Sequence, residues 1–206
     1  MAVVQSKSNI GPPPRAVGRL IFEASRRAEA MGLVEPGAVT HTDLRAVRLI
    51  ANQARKAGIA AAAAAALNNV DTPSDEEVAA LLETIIAALE ANPVPKFEWS
   101  GLSRILDAEQ LGTLLSVSAS SLKRYQSGDR ATPDSVAARL HFLALVVGDL
   151  AGSYNDIGVR RWFQRKRTRL DGRAPAQLLA GDWDPDEAGP RRVRELAAEL
   201  VSLSAT

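Results

Sequence analysis

Residues 108–127 read AEQLGTLLSVSASSLKRYQS, and the fold turns on how they are read. Leu111, Leu114 and Leu115 share one helical face, and Val117, Leu122 and Tyr125 supply a second apolar face after a short break. Two short helices joined so tightly form a helix-turn-helix only if certain positions are permissive. The side chain where they touch has to be small, and Gly112 stands there. Four residues on, the turn needs a residue that tolerates a left-handed backbone, often glycine; here it is Ser116. Ser118 is placed to cap the second helix. The pattern predicts a DNA-reading helix-turn-helix over residues 107–127.

With Leu122 and Tyr125 turned inward, the second helix keeps an outer face. On it, Ser120, Ser121 and Arg124 are placed for base edges, and Lys123, Gln126 and the following Arg130 for phosphates. Arginine can pair with guanine O6 and N7, whereas serine reads little alone. Thr132 is predicted to cap the next helix, with Pro133 at its first position. The competing reading is an amphipathic helix pair kept for protein contacts.

Outward from this motif, helical signals run in both directions. Residues 1–14 read as a disordered tail closed by Gly11-Pro12-Pro13-Pro14, and no signal peptide is expected there. Residues 15–31 have a helical apolar stripe from Val17 to Ala28, ended by Gly32. Thr40 or Thr42 is the expected cap of the next helix, which carries Leu44, Val47, Leu49, Ile50 and Ala54 inside and is interrupted or ended by Gly58. Ala60–Ala66 is all alanine, either a closely packed helix or a helical connector, and the connector is preferred. Ser74 caps a helix that runs to about Asn92, where Pro93 and Pro95 make the clearest break in the chain. Beyond Lys96, helices are expected at about 98–106, 107–115, 119–127, 133–151, 155–170, 174–180 and 189–203. No segment alternates with period two, so the fold class is all-α. The expected division is a helical N-terminal region of unassigned role (15–92), a helix-turn-helix region (97–151) and a C-terminal region (152–206).

Composition agrees with helix, because alanine and leucine dominate a chain that is 46% hydrophobic and only 4% aromatic. Cysteine is absent, which excludes disulfides, thiolate metal sites and a cysteine nucleophile. The lack of disulfides suits a cytoplasmic location, and no apolar run is long enough for a bilayer, so no membrane partner is expected. The net charge of +1 conceals blocks: residues 1–57 sum to +5, 71–98 to −6, 104–173 to +5 and 174–206 to −3. No phosphate loop, dinucleotide fingerprint or zinc spacing is found, so no catalytic residue, cofactor or metal is expected. His141 lies on an apolar helix and reads as packed, and Asp182, Asp184, Asp186 and Glu187 as a solvated loop.

Residues 160–173, RRWFQRKRTRLDGR, hold seven basic side chains against one acid. Trp162, Phe163 and Leu170 predict a basic helix anchored on one side, with Arg165, Lys166, Arg167 and Arg169 free for phosphates or an acidic partner. Gly172 would allow a tight exit from it, and Pro175 would begin a short helix placing Leu178 and Leu179 on the core. From Ala137 onward the order RLHFLALVVGDL, GVRRWF, LDGRAPAQLL, GDWDPDEAG resembles the toxin-binding domain of Xre/MbcA/ParS antitoxins, which follows an Xre-like helix-turn-helix. The best-matching positions are Trp162, Leu170, Gly172, Pro175, Leu178 and Leu179; Phe163 and Lys166-Arg167 depart from the pattern. The resemblance covers roughly residues 100–203. It implies an antitoxin that neutralises a RES-domain, NAD-consuming toxin and represses its own operon, with operator DNA as second partner. It places the toxin contact on Trp183, Asp184, Arg191, Arg192, Arg194 and the last helix. A homodimer or larger complex is expected. The alternative is a stand-alone regulator whose N-terminal region dimerises or senses a signal.

Overall fold

The computed structural model describes residues 13–203. Residues 1–12 of the tail expected over 1–14 lie outside the described residues. Among the described residues there are eleven α-helices and no β-strand, so the chain is all-α. The first four are α1 (Arg15–Ala30), α2 (Leu44–Lys56), α3 (Ala61–Asn68) and α4 (Asp75–Ala91). Next come α5 (Pro95–Ile105), α6 (Ala108–Leu115), α7 (Ala119–Ser127) and α8 (Asp134–Leu150). The chain closes with α9 (Asp156–Gln164), α10 (Pro175–Leu178) and α11 (Ala188–Leu203).

Local chemistry sets most boundaries. Ser74 Oγ accepts from the Glu77 amide at 3.2 Å, and Glu77 Oε2 accepts from the Ser74 amide at 2.8 Å. The cap of α2 is Asp43, accepting from the Ala46 amide at 2.9 Å, and not the expected Thr40 or Thr42. A carboxylate is favoured over a hydroxyl there because it also meets the positive end of the helix dipole. Thr132 does not cap α8: Pro133 holds that position, and the Thr132 hydroxyl accepts from Trp99 Nε1 at 2.9 Å. The alanine run forms α3, and it is not a connector. Ala63, Ala64 and Leu67 are buried, and methyl side chains let α3 approach both α2 and α4 closely.

Pro93 and Pro95 bend the chain by 88° between α4 and α5, yet the core crosses the bend. One hydrophobic cluster extends from Val17 to Ala197. At its centre is α8, buried at every position from Arg139 to Leu150 and covered by α1, α5 and α11. Helix α5 crosses the end of α1 so closely that a Cβ at Gly101 would overlap the Ala30 carbonyl and the Gly32 amide. Among the described residues no single helix is long and apolar enough to cross a membrane.

The long basic helix expected over 155–170 is absent. Helix α9 stops at Gln164, Arg165 is extended, and Arg167 pairs with Arg173 across a small turn. A continuous helix would stack Arg161, Arg165 and Arg169 at four-residue spacing, where like charges repel. Asp171 (φ 56°) and Gly172 (φ 74°) both take the left-handed conformation and reverse the chain. Gly172 therefore shapes a turn and not a helix exit. Leu170 is buried all the same, as are Trp162 and Phe163 of α9.

Polar groups on α8 are compensated from separate elements. Asp149 is paired with Arg194 and lies 3.8 Å from Arg27, which also bonds Glu90 at 3.0 Å. Burial brings the Arg194 guanidinium down to about 10, leaving it charged at neutral pH. His141 Nδ1 meets Glu98 Oε1 at 2.6 Å, and Nε2 meets the Glu90 carbonyl at 2.9 Å. Burial alone would depress His141, but the hydrogen bond and charge of Glu98, with the Glu90 carbonyl, raise it above 6.5. A histidine raised on folding stabilises the native state fully below its unfolded value, and that contribution is lost as pH climbs through the native value. Replacing His141 by Gln should therefore flatten the decline in unfolding midpoint as pH rises above 6.5, measured by urea titration.

Candidate nucleic-acid interface

Helix α6 starts at Asp107, whose carboxylate accepts from the Gln110 amide at 2.8 Å. It ends at Ser116, in the left-handed conformation (φ 56°, ψ 43°), with the Val117 amide donating to the Gly112 carbonyl at 3.0 Å. A Cβ on Gly112 would sit 3.2 Å from the Val117 carbonyl oxygen, closer than ordinary van der Waals contact, so a small residue suits the point where the chain turns back. Ser118 Oγ accepts from the Ser121 amide and caps α7. Leu122 and Tyr125 are buried and Val117 is half-buried. The Tyr125 ring stacks on Trp99 of α5 at 6.0 Å. The helix-turn-helix geometry expected from Gly112, Ser116, Val117, Leu122 and Tyr125 is present, and α5 supplies its floor.

The outer face of α7 is not uniform. Lys123 and Arg124 are exposed, and among the described residues their side chains make no hydrogen bond or ion pair. Ser120 and Ser121 are drawn into the cap, both within 3.1 Å of Ser118 Oγ. Gln126 leans onto α5, donating to Ser103 Oγ at 2.8 Å. The Arg130 guanidinium lies over the Tyr125 ring at 5.5 Å and remains exposed. The free cations are therefore central, and the serines are partly committed to local structure.

The last turn of α6 is held from far along the chain. Leaving the helix at Ser116 strands its final carbonyls, which need donors. Trp183 Nε1 donates to the Leu114 carbonyl at 2.8 Å, and Arg139 Nη1 to the Leu115 carbonyl at 3.3 Å. Arg139 Nε also donates to the Trp183 carbonyl at 2.6 Å, and Ser116 Oγ to the Gly181 carbonyl. Neither Arg139 nor Trp183 was legible as a helix cap, because the partners lie 24 and 69 residues away.

The chain matches no family model, no curated protein and no solved structure.

The residues expected to form a toxin-binding surface separate in space. Trp183 is 3% exposed and packs edge-on against Phe142 at 5.1 Å, so it is core and not surface. Arg194 is turned inward to Asp149 and Glu90. Asp184, Arg191 and Arg192 remain outside or at the rim, with Arg191 on Asp186 at 3.2 Å and Arg192 on Asp171 at 2.7 Å. The Asp171 carboxyl is held below its ordinary value by its hydrogen bond from Arg192. Trp162, Leu170, Pro175 and Leu179 are buried and Leu178 is half-buried. Among the described residues no cluster is arranged to hold a metal ion.

Truncating Trp183 to Ala should cost about 3–5 kcal/mol of stability, the range for a buried aromatic. Truncating the exposed Asp184, whose carboxylate accepts from the Asp186 amide at 2.8 Å, should cost no more than about 1 kcal/mol. Chemical denaturation of the two variants distinguishes a core tryptophan from a contact residue.

Proposed function

We propose that this chain is a cytoplasmic antitoxin that reads operator DNA with α7 and neutralises a RES-type, NAD-consuming toxin through its C-terminal region. The observation that carries the DNA half is the α6–α7 turn presenting Lys123 and Arg124 unpaired. The toxin half is supported by the order of elements: the helix-turn-helix is followed by the segments from Ala137 to Leu203 that resemble the antitoxin domain. Its accessible contact residues would be Asp184, Arg191 and Arg192 with the outer face of α11. A homodimer would bring two copies of α7 to two half-sites. A stand-alone regulator is the second reading, favoured by α1–α4, which lie outside the region carrying the resemblance.

Co-expression with a RES-domain toxin tests the first reading: growth should be restored and the two chains should co-purify. If neither happens while repression persists, the stand-alone regulator is the better account. On the DNA side, Lys123→Ala should weaken binding to all duplexes alike and lower the log–log salt slope by about 1. Arg124→Ala should cost about 1–3 kcal/mol and relax preference at one base pair. Fluorescence anisotropy across a salt series reads both outcomes.

A further inference from the structure

We infer that the groove between α6 and α9 is a second anion-binding surface, which holds the DNA sugar-phosphate backbone beside the bases reached by α7. The inference rests on the DNA-binding reading above and adds a site outside the helix-turn-helix. The groove measures about 660 Å³. Arg160, Arg161 and Arg165 form one wall, and Gln110 and Thr113 stand on the other.

Charge compensation singles this groove out. Around α11 the arginines are spent on carboxylates: Arg169 on Glu199, Arg191 on Asp186, Arg192 on Asp171 and Arg194 on Asp149. Arg161, Arg165 and the adjacent Lys166 are exposed and, among the described residues, make no ion pair. Two acids also line the groove. Asp107 is committed to the cap of α6, and Glu109 stands in that helix's first turn. Three guanidinium groups against two carboxylates, with Lys166 beyond, leave the rim cationic.

The cations are also held at a fixed offset from the reading helix. Arg160 Nη1 donates to the Ile105 carbonyl at 2.7 Å, and Gln110 Nε2 donates to the Arg160 carbonyl at 3.0 Å. These bonds lock α9 to the end of α5 and the start of α6. Gln110 and Gly112 point to nearly opposite sides of α6, since each residue turns the helix by about 100°. Gly112 faces the turn into α7, so the groove lies on the far flank of α6. In a docked helix-turn-helix the first helix crosses the backbone while the second enters the major groove. Phosphates beneath α6 would then meet the groove. Guanidinium forks suit phosphate oxygens, no aromatic side chain lines the groove, and its one aliphatic residue, Leu114, is buried.

The test uses the full chain with two fluorescent duplexes, one of mixed sequence and one from upstream of its own gene. The Arg161→Gln/Arg165→Gln pair should weaken binding to both roughly tenfold and lower the salt slope by about 2, near 0.9 per lost phosphate contact. The ratio between duplexes should not change, because backbone contacts carry no sequence information. A control pair, Arg169→Gln/Arg191→Gln, removes equal charge from ion-paired positions and should leave the slope unchanged. Unchanged affinity and slope in the first pair, or an equal loss in the control, overturns the groove while leaving α7 as the reader. Loss of binding to an acidic polypeptide with DNA binding intact assigns the groove to a protein partner and overturns it too. A wild-type chain that binds neither duplex overturns the DNA-binding reading together with this inference.

Discussion

A helix with no solvent-facing side has to be surrounded, and its polar residues decide by what. Helix α8 is buried from Arg139 to Leu150, and three of those positions are Arg139, His141 and Asp149. Each would be costly to bury without a partner. Arg139 takes backbone carbonyls from Leu115 and Trp183; His141 takes Glu98 and the Glu90 carbonyl; Asp149 takes Arg194 and Arg27. Those partners come from α1, α4, α5, α6, α11 and the loop before it. The apolar surface of α8 draws helices together without direction, and these polar contacts fix which helices and in what register.

The same contacts tie the helix-turn-helix to the C-terminal region. Arg139 and the Trp183 indole close the end of α6, so the turn at Ser116 is held by the loop at residues 181–183. At the other end of α6, Arg160 and Gln110 fasten α9. The helix-turn-helix is thus clamped at both ends of its first helix. This also explains how Ser116 serves where glycine is more usual. A left-handed serine is mildly strained, and its hydroxyl bond to Gly181 and the filled carbonyls beside it offset that cost.

Much of this was legible from residue order alone. The helical spacing of leucines and alanines, the caps at Ser74 and Ser118, and the small residue at Gly112 are local demands with local answers. Where an expectation failed, either a neighbour distant in sequence or a local charge pattern outweighed the helical spacing. Seven alanines look like a spacer until two helices are found against them. The segment 165–173 has helix-forming residues, yet charge crowding and the Asp171-Gly172 reversal fold it into a turn. Trp183, in an acidic loop, looks like a contact residue and instead fills the core beside Phe142.

By itself the sequence determined the all-helical class, most helix boundaries and the α6–α7 turn, because hydrogen bonds and side-chain spacing within a few residues suffice for these. Only the tertiary structure decided that the chain shares one core across Pro93–Pro95, and which arginines are neutralised and which stay free. Whether an exposed guanidinium meets a carboxylate depends on chain segments tens of residues away. That pairing, invisible in the order of residues, leaves Lys123, Arg124, Arg161 and Arg165 without an ion pair among the described residues, on and beside the helix-turn-helix.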